Sequence, residues 1–448
     1  MRVRHVFIAL GLAAGACASL PALDPPARTA PPARVAGGAS ATTAALRAPG
    51  AAGEDLLAGH LAQVEQALDA RLVRGNDGRL LIDGPATHRA MFEAIGRARD
   101  HVNLQTYIFE VDGPGERLAE LLIRKRRQGV TVNVLYDSVG SMGTPKAFFE
   151  RLRAAGIAVC EFNPVNPLKS PPKGWQINNR DHRKILVVDG RIAFTGGINI
   201  SGVYSAGSFG SRRAAPAREE GWRDTHVATR GPIVAEFQRV FLDAWERQRC
   251  GAAAQAAYFP PTAERGEWTM RLVTGDPEAG ASQTYVALHA AMARAERRIW
   301  LTYGYFVPDE ATIAALQDAA ARGVDVRLVL PGFSDFWAPL YAGRSHYADL
   351  LAAGVRIFER RDALLHAKTA IVDGVWSSVG STNLDWRSFV HNYEADVIVL
   401  GPAFAGELER LFARDVQASH EITAEAWARR GLGERAREWL ARRWEYFL

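Results

Sequence analysis

Cysteine is nearly absent. Cys17, Cys160 and Cys250 are the three in 448 residues, too few for a disulfide framework. Cys160 and Cys250 can pair only if the fold brings them together, and a free buried thiol is the expected state of each. No Cys/His cluster has metal-ligand spacing and no glycine-rich loop precedes a Lys-Ser/Thr pair, so neither a metal site nor a P-loop is expected. Past residue 16 no apolar run is long enough to span a bilayer. A strong charge of one sign is missing as well. The formal net charge is +5, but five of the 54 bases and one of the 49 acids precede residue 54, so the rest carries 49 against 48. Such a near-neutral body is poor footing for a nucleic-acid partner. With 48% hydrophobic and 23% charged residues, disordered, collagenous and multi-span membrane classes are excluded. The length suits two or three domains at roughly 150 residues each.

The first 53 residues are organised for export rather than folding. Arg2 and Arg4 precede an apolar run from Val6 to Ala16, as in a secretory signal. Ala14-Gly15-Ala16-Cys17 resembles a bacterial lipobox, with Ala14 where Leu is favoured. That resemblance implies a signal over residues 1–17 and lipid attachment at Cys17; ordinary cleavage after Ala16 or Ala18 is the alternative. Residues 18–53 are rich in Ala, Pro, Gly and Thr without period, a flexible tether.

Beyond it the chain repeats itself. A helix pattern at His88–Arg99 precedes the strand pattern Val102–Phe109, and one at Tyr285–Ala295 precedes Ile299–Phe306. A helix follows in each case, then a strand opened by Gly-Val at Gly129 and Gly323, then strands near 157–161 and 355–358. Alternating strands and helices predict a parallel or mixed sheet covered on both faces. The fold expected is α/β, two tandem α/β/α domains over residues 54–250 and 262–448, meeting across a pseudo-two-fold. The join falls in the Ala-, Gln- and Pro-containing stretch between Cys250 and Arg265.

The repeat is sharpest where chemistry would sit. His182-Arg-Lys184 runs through an apolar stretch to Asp189, followed by Gly196-Gly-Ile-Asn199. His366-Ala-Lys368 runs to Asp373, followed by Gly380-Ser-Thr-Asn383. All four positions are separated by 184 residues. His and Lys two apart on a strand share a face. A neutral imidazole beside an ammonium and an amide suits nucleophilic attack on phosphorus, one group attacking while others hold anionic oxygens. Lysine is otherwise scarce: six occur, and after Lys184 only Lys368. An Arg-rich chain thus keeps a compact point charge at these two places. Asp224 and Glu394 each open a strand pattern ending in Gly-Pro, a common offset of 170 residues. The offset shrinks from 184 because the first copy inserts a loop, Tyr204–Glu219.

These residues resemble the phospholipase D superfamily, with two H-x-K-x4-D motifs each followed by G-[GS]-x-N, and among its members the bacterial cardiolipin synthases. Asn179–Lys184, Trp222–His226, Tyr305–Asp309 and Val379–Asp385 carry that nearer likeness. The resemblance implies an active site at the domain interface, with His182, Lys184, Asp189, His366, Lys368 and Asp373 as its motif residues. It implies Asn199 and Asn383 on the phosphate and Asp224 and Glu394 as acids orienting the histidines. By the Gly-Pro alignment Asp189 and Asp373 look more structural, bracing turns. The implied reaction joins two phosphatidylglycerols into cardiolipin, His182 attacking and His366 moving the proton, with no cofactor. A hydrolytic phospholipase D would use the same residues with water as acceptor; a nuclease of the superfamily is disfavoured by the near-neutral body. Expected partners are a phospholipid substrate and a membrane surface, with no nucleic acid, and one chain suffices because it holds both motifs. Well-known family members carry two N-terminal membrane helices where this sequence has a signal and tether. The resemblance places the chain in the bacterial cell envelope.

The stretch from Ala424 to Leu448 interleaves Trp427, Trp439 and Trp444 with six arginines. Such a mixture suits a lipid headgroup layer; packing of the aromatics on a core at helical spacing is the alternative.

Overall fold

The computed structural model describes residues 20, 23, 49–169, 176–208, 221–253 and 255–448. The expected leader with Cys17, most of the tether, and residues 209–219 of the inserted loop lie outside the described residues; residues 49–53, expected as the end of the flexible tether, are instead helical. The first half runs α1 (Pro49–Leu68), β1 (Val73–Ile82), α2 (Asp83–Arg97), β2 (His101–Thr106), α3 (Gly113–Arg127) and β3 (Thr131–Asp137). It continues through α4 (Lys146–Ala154), β4 (Ala158–Phe162), β5 (Arg180–Asp181), β6 (Ile185–Val188), β7 (Ile192–Gly196), β8 (Thr225–Arg230) and α5 (Val234–Arg247). The second half opens with β9 (Trp268–Asp276), β10 (Ala281–Ser282), α6 (Gln283–Arg294), β11 (Arg298–Tyr303), β12 (Phe306–Val307), α7 (Glu310–Ala321) and β13 (Asp325–Pro331). Then come α8 (Trp337–Arg344), α9 (Tyr347–Ala352), β14 (Arg356–Arg360), β15 (Lys368–Val372), β16 (Trp376–Gly380), β17 (Leu384–Asp385) and α10 (Trp386–Val390). The chain closes with β18 (Asn392–Leu400), α11 (Pro402–Gln417), β19 (Ser419–Ile422), α12 (Ala424–Ala428) and α13 (Leu432–Arg442).

Hydrogen bonding orders the first sheet β4-β3-β2-β6-β7-β8-β1. The second follows the same order, β14-β13-β11-β15-β16-β18-β9, with β19 added at its edge. In each, three parallel strands continue into four antiparallel ones. The equivalent edges β1 and β9 pair with each other, Val73 opposite Met270, so the two mixed sheets join edge to edge. Side chains of β6 are buried throughout, which is why it reads as an apolar run; β2 is buried as well, although Val102 and Leu104 alternate there with Asn103 and Gln105.

Strands begin two residues later than the Gly-Val pairs suggest, for a local reason. Gly129 and Gly323 adopt φ of 90° and 89° and end α3 and α7 in a left-handed turn that glycine takes without strain. Asp112 and Asp309 cap the starts of those helices by accepting from the backbone N–H of Gly115 and Ala311. The first half has its own core around Leu104, Leu122 and Val134, the second around Leu301, Leu316 and Leu328. A further apolar layer is shared, with α5 and α11 burying Phe237, Phe404 and Leu408 against strands of both sheets.

Two further expectations change. Residues 54–68, expected with the first half, lie in α1, whose Leu57, Leu61, Val64 and Leu68 recur at helical spacing and pack on the second-half core. His60 Nε2 sits 3.0 Å from Asp373 on that side. Cys160 and Cys250, expected as free buried thiols, form a disulfide with Cα atoms 5.5 Å apart. The pairing follows from topology: β4 and the end of α5 meet around Phe162, Phe241 and Trp245, so residues 90 apart in sequence become neighbours.

Candidate active site

His182 follows directly on β5, which lies parallel to the start of β18, Arg180 opposite Asn392 and Asp181 opposite Tyr393. The His182 N–H donates to the Tyr393 carbonyl at 2.9 Å, so the next residue of β18, Glu394, arrives beside the imidazole. The other half repeats the contact: the His366 N–H donates to the Arg223 carbonyl at 2.8 Å, and Asp224 is next. The result is a crossing. His182 Nδ1 lies 3.0 and 3.1 Å from the Glu394 carboxylate oxygens, and His366 Nδ1 lies 2.7 Å from Asp224 Oδ2. Each histidine is held by the acid of the opposite half. An ionised carboxylate only accepts, so where the facing acid is ionised the ring keeps a proton on Nδ1, which leaves Nε2 as the nitrogen that can give or take one. Neither Nε2 has a hydrogen-bond partner among the described residues.

The site is buried and cationic. Lys184 and Lys368 donate to the carbonyls of His182 and His366, folding each ammonium back beneath its own histidine. Burial pushes Lys184 down to about 7 and Lys368 down to about 8, although Glu394 and Asp224 oppose that shift in both. Burial and then the Lys184, Lys368 and His366 charges hold His182 well below the usual imidazole range. His366 is lowered by burial and Lys368, with Asp224 working against them. The two acids diverge. Burial lifts Glu394 to about 7. Burial also acts on Asp224, but the His366 imidazole, its hydrogen bond and Lys368 outweigh it and leave Asp224 below the ordinary carboxylate range.

The remaining motif residues divide between site and scaffold. Asp189 and Asp373 are not brought to the histidines. They end β6 and β15, and each is held in the left-handed region, at φ 53° and 55°. Asp189 accepts from the backbone N–H groups of Arg99, Asp100 and His101 at 2.8–3.1 Å, and Asp373 from those of Glu296, Arg297 and Arg298 at 2.7–3.2 Å. They brace the starts of β2 and β11. Asn199 Oδ1 accepts from the Ile108 N–H at 3.1 Å and its amide reaches Tyr204 Oη at 3.4 Å. The Asn383 side-chain oxygen is buried and without a partner among the described residues.

A model of the family described as "Cardiolipin synthase, PLD-like domain" matches residues 91–205 and 288–416, one span in each half. The chain belongs to this phospholipase D-like family. It is 36% identical to a cardiolipin synthase of Geobacillus kaustophilus over 367 residues, covering 81% of this chain and 70% of that protein. Cardiolipin synthase A of Pseudomonas putida is 38% identical over 361 residues, 78% of this chain and 70% of that one. In fold, the chain is similar to a phosphatidylserine synthase of Haemophilus influenzae, with a TM-score of 0.62 at 12% identity over 87% of this chain and all of that one.

Several groups of this family site had no role assigned from the sequence, although Trp222 and Tyr305 lie in segments that carry the family likeness. Tyr107 presents its ring edge to His182 at 5.0 Å and takes the Lys184 ammonium over its face at 5.3 Å. Around His366 stand Trp222 and Tyr305, ring centroids at 5.4 and 6.0 Å, and Tyr204 Oη lies 3.3 Å from its Nδ1. Ser381 Oγ donates to Glu394 at 2.5 Å; its counterpart in the first copy is Gly197, where a Cβ would collide with Asp224. Arg387 reaches Asn178 across the interface at 3.1 Å. Tyr107 and Tyr305 sit one and two residues beyond the ends of β2 and β11, where periodicity stops being informative, while Tyr204 and Trp222 lie in the connection before β8. The Gly/Ser difference was visible in the paired motifs but had no assigned partner.

Proposed function

We propose that this family member is a phosphatidyltransferase that joins two phosphatidylglycerols into cardiolipin and releases glycerol. The observation that carries the proposal is the crossed pair of His–acid contacts, with both Nε2 atoms unengaged above two buried lysines. His182 Nε2 attacks the donor phosphorus while His366 Nε2–H gives its proton to the departing glycerol oxygen, breaking the P–O bond. A phosphatidyl-histidine results. His366 then takes the proton of the acceptor's hydroxyl, whose oxygen bonds phosphorus as the P–N bond to His182 breaks. Lys184, Lys368 and Asn383 face the non-bridging oxygens, and Asn199 supports that wall from its bonds to Ile108 and Tyr204. The acids support this division of labour. Asp224, held low, stabilises positive charge at His366 against burial and Lys368; Glu394, lifted to about 7, and the lysine charges favour a neutral, nucleophilic His182.

The chain works as a monomer at the surface of the bacterial cell envelope, exported by its leader and anchored through Cys17. Among the described residues no helix is long and apolar enough to cross a membrane. Incubating the purified protein with labelled phosphatidylglycerol and resolving the lipids tests the proposal. Cardiolipin with free glycerol is expected; phosphatidic acid as the sole product makes the enzyme a hydrolase instead.

A further inference from the structure

The last two helices carry a surface that the His site does not use. α13 buries only Glu438 and Ala441. Leu432 is 82% exposed, Trp439 62%, Leu440 47% and Trp444 40%, and Trp337 at the start of α8 adds 45%. Beside them an open cleft of about 510 Å³ runs between α9, α12 and α13, floored by Leu351 and Trp427 and edged by Arg430, Arg435 and Arg442. Not all of the tail is surface. Trp427 packs on Tyr347 at 4.9 Å and Arg430 bridges to Glu438 at 3.0 Å, so the cleft is built on a fixed base. Arg443 stacks over Trp439 at 4.7 Å, coupling a cation to an exposed ring.

We infer that this face, α12–α13 with the start of α8, is the docking surface for an anionic phospholipid bilayer, Trp439 and Leu440 entering the headgroup boundary and the arginines engaging lipid phosphates. Charge complementarity argues for that occupant. Arg429, Arg435, Arg437, Arg442 and Arg443 are exposed here against two exposed acids, Glu425, which pairs with Arg429, and Glu434. Indole rings and guanidinium groups on one face are both satisfied at the depth of the headgroups. Continuity argues for it too. Arg437 donates to Tyr341 Oη of α8 at 3.0 Å, and the loop leading into α8 places Phe333 against Tyr204, Trp222 and Leu364. In that loop Asp335 accepts from Tyr305, whose ring flanks His366, at 2.6 Å. The face and the rim of the His366 side are thus one connected surface, and this part of the inference rests on the lipid-substrate proposal above.

The test uses the chain from residue 17 onward with Cys17→Ser, which removes the expected lipid attachment, floated with vesicles of phosphatidylglycerol and phosphatidylcholine. Trp439→Ser/Leu440→Ser should weaken flotation at least tenfold. Arg435→Gln/Arg442→Gln should weaken it at least fivefold on mixed vesicles and leave the weak flotation on pure phosphatidylcholine unchanged. Conversion of detergent-dispersed phosphatidylglycerol should stay within twofold in both. Unchanged flotation in both variants overturns the inference, as does unchanged flotation with a shifted sedimentation coefficient, which would make the face a protein contact. A parent chain that converts no phosphatidylglycerol, with flotation still lost in the variants, leaves the docking surface standing and removes the proposed reaction.

Discussion

The two halves share a strand order, a His–Lys pair and a turn-bracing aspartate, yet they surround their histidines differently. On the His182 side an aromatic edge, Tyr107, meets the imidazole, and the partner acid Glu394 is lifted to about 7 by burial while bonded to Ser381 and Asn392. On the His366 side Tyr204, Trp222 and Tyr305 gather, and the partner acid Asp224 is held low. Gly197 and Ser381 occupy the same repeat position, one making room for its acid and the other donating to it. A duplicated scaffold therefore does not imply duplicated chemistry. The backbone fixes where the two imidazoles stand, and the residues behind them differ; under the proposed mechanism that difference decides which one carries a proton.

The largest test of that asymmetry is the pair of histidine variants. His182→Ala and His366→Ala should each lower kcat at least about 10⁴-fold, roughly 5.5 kcal/mol in barrier. Only His366→Ala should accumulate phosphatidyl-protein, with mass spectrometry placing the adduct on His182; an adduct on His366 in the reciprocal variant reverses the roles. Next come the acids. Asp224→Asn should cost on the order of 10³-fold in kcat/KM, because an ionised partner becomes neutral and the tautomer is no longer fixed. Glu394→Gln should cost about tenfold, since that acid is already partly neutral near pH 7. Equal losses would mean that the two sides are chemically alike.

Stability should also differ between the halves, because the disulfide staples only the first. Cys160→Ser should lower the unfolding free energy under oxidising conditions by about 2–4 kcal/mol, read from denaturant titration. A matching loss when the wild-type protein is reduced would tie the effect to the bond itself. The smallest effect is on affinity. Lysines with lowered values are charged below those values and neutral above them, and a phosphodiester favours the charged form. Phosphatidylglycerol affinity should then be full below pH 7 and fall as pH rises through about 7 and 8, KM increasing about tenfold by pH 9. Lys184→Met should remove the lower inflection and leave the upper; the opposite outcome would exchange the two lysines.

The repeated order of strands and helices and the paired motif were legible because both recur: a buried strand such as β6 writes itself as an apolar run, and 184 residues separate four chemically distinct positions. Asp224 and Glu394 were legible as equivalents, through the Gly-Pro pairs that follow them. Their crossing was not, since an offset says which residues correspond and nothing about which ones touch. The disulfide was missed for the same reason, and so was α1, whose amphipathic face is complementary to either half until the tertiary contact with α6 is made. Tyr107 was not singled out, and Trp222 and Tyr305 were read as marks of the family without a place at the site, because a ring beside a catalytic group has the same composition as a ring in a core.

The crossed acids also have a meaning for descent. A twofold-symmetric dimer of a half-length chain would exchange acids in the same way, each protomer completing the histidine of its partner, because an isologous interface repeats every contact in both directions. While the two copies share one sequence they must stay identical. Joined in tandem, they keep the geometry and lose that constraint, so glutamate can face one histidine and aspartate the other, serine can stand where its twin has glycine, and a symmetric pair can become a donor and an acceptor of one proton.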